Sequence, residues 1–117
     1  MEAISRILDF WFASEDLWFK KDDAFDESIR RRFAADYEKA AAGDLADWRE
    51  TPDGCLALIV LLDQFPRNMF RGDARSFATD ALAMEVTETA VESGFDQVLP
   101  MARRRLFYMP LMHAEDI

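Results

Sequence analysis

Between positions 63 and 71 the chain carries Asp63, Gln64, Arg67, Asn68 and Arg71, a carboxylate, two amides and two guanidiniums four residues apart. Forked guanidiniums suit planar carboxylate or phosphate groups, so Arg67 and Arg71 predict a site for a small anionic ligand or a peptide carboxylate, with Asp63, Gln64 and Asn68 fixing the geometry. The same residues allow a purely structural reading. In that case Asp63 pairs with an arginine and the two amides satisfy a helix end, as any buried terminus requires. A second chemistry is offered by His113, the only histidine, followed by Glu115 and Asp116. Imidazole titrates near neutrality, so His113 is a candidate general acid or base oriented by Asp63 or Glu115. Its bland alternative is a histidine hydrogen-bonded at a kinked helix end. A catalytic zinc wants three protein ligands and no His-x-x-x-His or paired-Cys spacing occurs, so no metal and no cofactor are expected; a hard-cation site on Asp63, Glu115 and Asp116 would need the fold to gather them. Cys55, in an apolar run, reads as a buried thiol. The signatures of serine hydrolases, nucleotide-binding loops and zinc proteases are absent from the sequence.

Helices must hold these groups, because the few Gly and Pro fall between segments of three-and-four apolar periodicity. Five helices are predicted. The first covers about 2–12, with Ile4, Ile7, Leu8, Trp11 and Phe12 on one face. An Asp22 or Asp23 cap opens the second, whose Phe25, Ile29, Phe33 and Tyr37 step by four until Gly43. Thr51-Pro52-Asp53 caps the third. Its Cys55–Leu62 octet is wholly apolar, which marks a helix buried on all sides, and Pro66 is expected to break it. The fourth is expected over about 74–93 with Phe77, Ala81, Leu82, Met84 and Val91 inward, and Pro100 opens the fifth. Trp11, Phe12, Trp18 and Phe19 could line a groove but read more simply as core. Arg30–Arg32 and Arg103–Arg105 read as solvated faces and partners for the acidic fourth helix, because consecutive helical residues point in different directions.

At 117 residues and half hydrophobic, the chain has the size of a single domain, 1–117, with ample apolar area to fold. Its 14 basic and 23 acidic residues give a net charge of −9, which opposes nucleic acid and anionic membrane as partners. One Cys gives no disulfide framework, and the N-terminus lacks a signal or spanning segment, so a cytoplasmic setting is expected.

The run Leu61-Leu62-Asp63-Gln64-Phe65-Pro66-Arg67-Asn68-Met69-Phe70-Arg71-Gly72 resembles a bacterial family known as domain of unknown function 924. The likeness extends to Leu8-Asp9-Phe10-Trp11-Phe12, Trp18-Phe19-Lys20-Lys21, Ala78-Thr79-Asp80-Ala81 and Pro110-Leu111-Met112-His113-Ala114-Glu115-Asp116, nearly the whole chain. It implies an all-α fold of helical hairpins packed around a buried central helix, in a tetratricopeptide-like array, with no established activity. Ala114 stands where the family usually has Ser, and family members typically continue beyond this motif, so a short or truncated form is expected. Surfaces left uncovered in such a form would favour a homo-oligomer. The function read from these residues is therefore a scaffold binding a small acidic metabolite or peptide at the break in helix three, with an enzyme using His113 and a ligand-free assembly module as alternatives.

Overall fold

Side-chain caps set where the helices begin. In the computed structural model, which describes residues 2–18 and 21–111, Asp22 accepts the Phe25 N–H at 2.9 Å and opens α2 (Asp23–Ala41), while Thr51 accepts the Gly54 N–H at 3.0 Å and opens α3 (Pro52–Ile59). Each cap satisfies a donor the first helical turn leaves orphaned. Before them, α1 (Glu2–Phe12) buries Ile4, Ile7, Leu8 and Trp11 along one face, as its periodicity predicts. Gly43 ends the α2 region at φ +84°, a conformation that disfavours any residue with a Cβ. All regular structure among the described residues is helical, so the all-α expectation holds.

The apolar octet is a helix at the centre of the molecule, and every residue from 54 to 66 is buried. It does not break at Pro66. After α3, residues Val60–Gln64 form a π turn, and α4 (Phe65–Met69) continues the same rod through Pro66. The physical reason lies in the hydrogen bonds. A proline inside an α-helix collides with the carbonyl four residues back and leaves it without a donor. Here the Phe65 N–H reaches back five residues to Val60 O, widening the turn, and the Leu62 carbonyl that Pro66 cannot serve accepts the Thr79 hydroxyl at 2.7 Å. One π turn and one hydroxyl from another segment replace the expected break.

Around this rod, α1, α5 (Asp80–Glu92) and α6 (Met101–Phe107) pack on α3, while α2 packs on the π turn and α4. The fourth predicted helix needs correction. It starts at Asp80, after a separate 3-10 turn over Ala74–Phe77, and it buries Ala83, Val86, Thr87 and Ala90, while of the expected set Leu82 packs partly buried against the core. Phe77 is 61 % exposed, and Val91 also faces solvent. Small side chains at 83, 87 and 90 let the helix lie close against α3, so compactness at the contact outweighed hydrophobicity. Trp18, in the connector, folds back as expected: its ring stacks on Trp11 at 5.1 Å, and its Nε1–H donates to Trp11 O at 2.7 Å. Phe19 lies outside the described residues.

Candidate functional site

The motif residues divide into two clusters, each built around a buried carboxylate. Asp63, 0 % exposed in the π turn, accepts the Gln64 Nε2–H at 2.7 Å on one oxygen and Arg67 Nη1–H at 3.2 Å on the other. Arg67 also donates to the Asp63 carbonyl at 2.6 Å and grips Asp80, the first residue of α5, through two bonds of 3.0 and 3.1 Å. The second cluster centres on Asp26 of α2, 3 % exposed, whose Oδ1 accepts Asn68 Nδ2–H at 2.9 Å. Arg71 closes on the same carboxylate with Nε at 2.8 Å and Nη2 at 3.2 Å. Both arginines thus make the two-pronged contact foreseen for a ligand, but with carboxylates of this chain. Their side chains are 24 % and 37 % exposed.

Sequence reasoning brought Asp63, Gln64, Arg67, Asn68 and Arg71 together and missed their partners Asp26 and Asp80. A signal for Asp26 existed: three and seven residues before Ile29 and Phe33, it falls on the apolar face of α2. A charge on such a face needs a partner from another element. Asp80 lies 13 residues from Arg67, and only its place in the family-like Ala78–Ala81 string marked it. Of the arginine triplets, Arg31, Arg32 and Arg105 are solvent-exposed as expected, and the others differ. Arg30 Nη1 caps the end of α4 by donating to Met69 O at 2.9 Å, Arg104 Nε donates to Asp96 O at 2.8 Å, and Arg49 is the partner of acidic α5 through Glu85.

Burial pushes the Asp26 carboxyl upward, but the hydrogen bonds from Arg71 and Asn68, with the positive charges of Arg71 and Arg30, outweigh it and hold the pKa below the ordinary 3.8. A folded-state value depressed in this way contributes stability that is fully present above 3.8 and is lost as pH falls through the lowered value. The stability advantage of the natural chain over Asp26→Asn, measured by urea unfolding, should therefore be constant from neutrality down to about pH 5 and shrink below about pH 4. An advantage that stays flat to the acid limit would deny Asp26 this role.

Beside the π turn opens a cleft of about 220 Å³ lined by Glu15, Trp18, Gln64, Ala102, Arg105, Leu106 and Met109. His113, Glu115 and Asp116 lie outside the described residues. Among those described, no three His, Cys, Asp or Glu side chains gather in a way that could hold a metal ion, and no helix is long and apolar enough to cross a membrane. Cys55 is buried and donates its Sγ–H to Arg49 O at 3.3 Å. Burial raises its pKa to about 11, against a smaller lowering by the Arg49 charge. The thiol is therefore protonated at neutral pH, and a thiol reagent such as Ellman's should label Cys55 only on unfolding; rapid labelling of the native protein would contradict this burial.

The fold recurs in a solved structure. A solved structure of a protein of unknown function from Agrobacterium tumefaciens, ATU0120, superposes with a TM-score of 0.93 at 44 % sequence identity, over 97 % of this chain and 65 % of that one. The chain thus spans about two thirds of that relative's length. No functionally curated protein matches it. The sequence profile of a bacterial family of unknown function, DUF924, matches residues 7–117. With the Asp-Gln-Phe-Pro-Arg-Asn string inside that span, the chain belongs to the DUF924 family of bacterial proteins.

Proposed function

We propose that the chain serves as a helical scaffold, that its Asp-Gln-Phe-Pro-Arg-Asn string is an internal brace, and that recognition is left to surfaces the brace holds in place. The observation that carries this is the double engagement of both guanidiniums: Arg67 by Asp80 and Asp63, Arg71 by Asp26. Through them the turn that follows α4 is tied to α2, and the π turn to the start of α5. A π turn is an unusual geometry with weaker intrinsic support than an α-helix, and charged bonds to neighbouring helices offset that. An anion arriving at Arg67 or Arg71 would have to displace Asp80 or Asp26. Displacing Asp26 would also leave the buried Asn68 amide without its acceptor, at a cost of about 1–3 kcal/mol.

Single substitutions test the brace. Arg71→Ala removes the cation from a buried carboxylate; because the guanidinium is partly solvated, the loss should fall below that of a fully buried pair, at about 2 kcal/mol. Chemical unfolding reads this directly. Unchanged stability, with loss of a thermal shift given by phosphate or citrate, would instead place a ligand at these arginines. The tetratricopeptide-like stacking of hairpins implied by the family resemblance stays an expectation within this reading, as does self-association of the chain.

A further inference from the structure

The cleft beside the π turn holds three polar groups, two outside the brace and one, Gln64, that the brace engages only through its NH2 group. Gln64 is 7 % exposed, and its amide orientation is fixed because an ionised carboxylate only accepts: the NH2 group must face Asp63 Oδ2, at 2.7 Å, leaving Oε1 pointing the other way. That oxygen has no hydrogen-bond donor among the described residues, yet it is not among the polar atoms sealed from solvent, so it opens to the cleft that Gln64 lines. The other two groups are Glu15 and Arg105. Both are exposed along the same cleft, and neither forms an ion pair with the other or with any other described residue. The other described residues of its wall are apolar: Trp18, Ala102, Leu106 and Met109.

We propose that this cleft binds a single free α-amino acid with an apolar or aromatic side chain, held as the zwitterion. The volume of about 220 Å³ lies below the roughly 300–1,000 Å³ of sites for drug-sized ligands, so the occupant is small. Arg105 takes the carboxylate with its fork, Gln64 Oε1 and Glu15 take the ammonium, and the side chain lies against Trp18, Leu106 and Met109. Charge selects the class. The cleft has one acid and one base in a chain of net charge −9, so a dianion such as phosphate gains one guanidinium and meets both Glu15 and the overall field. A simple amine meets Arg105 with no carboxylate to offer it. A zwitterion satisfies both ends at once. The site shares only the Gln64–Asp63 bond with the brace, so either idea can fail alone.

Titration calorimetry on the full chain, with L-phenylalanine and L-leucine as probes, decides it. At least one should bind saturably. The truncated analogues 3-phenylpropionate and phenethylamine, and inorganic phosphate, should each bind about tenfold more weakly or worse, since each forfeits a charged hydrogen bond. Arg105→Gln should weaken the amino acid about tenfold, and Ala102→Trp should abolish binding by filling the cleft. Both positions are exposed, so the melting temperature of each variant should stay that of the natural chain. The proposal is overturned by equal binding of 3-phenylpropionate or phosphate, by binding that survives Ala102→Trp, or by no saturable heat from either amino acid up to about 10 mM.

Discussion

Phe65→Ala is expected to cost about 3–5 kcal/mol of folding stability, enough to remove a large part of what a domain of this size has. Phe65 is fully buried at the first position after the π turn, and its own N–H closes that turn on Val60 O. Its ring stacks on Phe33 at 4.9 Å and meets Trp11 edge-on at 5.6 Å and Phe10 at 6.2 Å, so it joins α4 to both α1 and α2. Those neighbours are large rings carried on separate helices, and they cannot close in on the space a phenyl group leaves. Urea unfolding should show the full cavity penalty. A loss under about 1 kcal/mol would mean that the rods shift to fill the gap, and that the centre of the molecule is less rigid than its packing implies.

Gly54→Ala is the second large effect, and its cause is contact with backbone. A Cβ at position 54 would overlap Trp48 O and stand 2.9 Å from Thr51 Oγ1. The first atom belongs to the main chain of the 3-10 turn Ala46–Glu50 and cannot swing aside; the second is the cap of α3. Either the turn moves off the helix or the cap opens, and overpacking together with a lost cap amounts to about 3 kcal/mol. Alanine normally favours a helix over glycine by roughly 1 kcal/mol, so the sign of the result is itself diagnostic. Thermal unfolding should place the variant well below the natural chain; a stabilised variant would show that the approach of Trp48 to Gly54 is not as close as the structure has it.

How far the fold could be read from residue types depended on whether the cause was local. The caps at Asp22 and Thr51, the glycine at 43 and the apolar octet act within a few residues, and each did in the structure what its chemistry implies. Pro66 misled because its cost is local and its remedy is not: the donor that serves the Leu62 carbonyl comes from Thr79. The inward face of α5 was legible at Leu82, which packs on the core, but the choice of Ala83 and Thr87 over Met84 is made by how close α3 must come, which hydrophobicity does not encode. For the site, the arginines and amides were visible as a cluster, and both guanidiniums do meet carboxylates there, though carboxylates of this chain and not of a ligand. The identity of the carboxylates was hidden, because Asp26 lies 45 residues from Arg71 in the chain. Arg105 and Glu15 were invisible as a pair of cleft walls, since nothing in their spacing joins position 15 to position 105.

The brace is tested most directly by a double-mutant cycle on Asp26 and Arg71, using Asp26→Asn, Arg71→Gln and the two together, with unfolding free energy as the readout at neutral pH. The two-pronged, largely buried contact predicts a coupling of about 1–3 kcal/mol, so that the double variant is less damaged than the sum of the singles. Single variants as stable as the natural chain, with a coupling within about 0.3 kcal/mol of zero, would show that the pair holds nothing together and would contradict the brace.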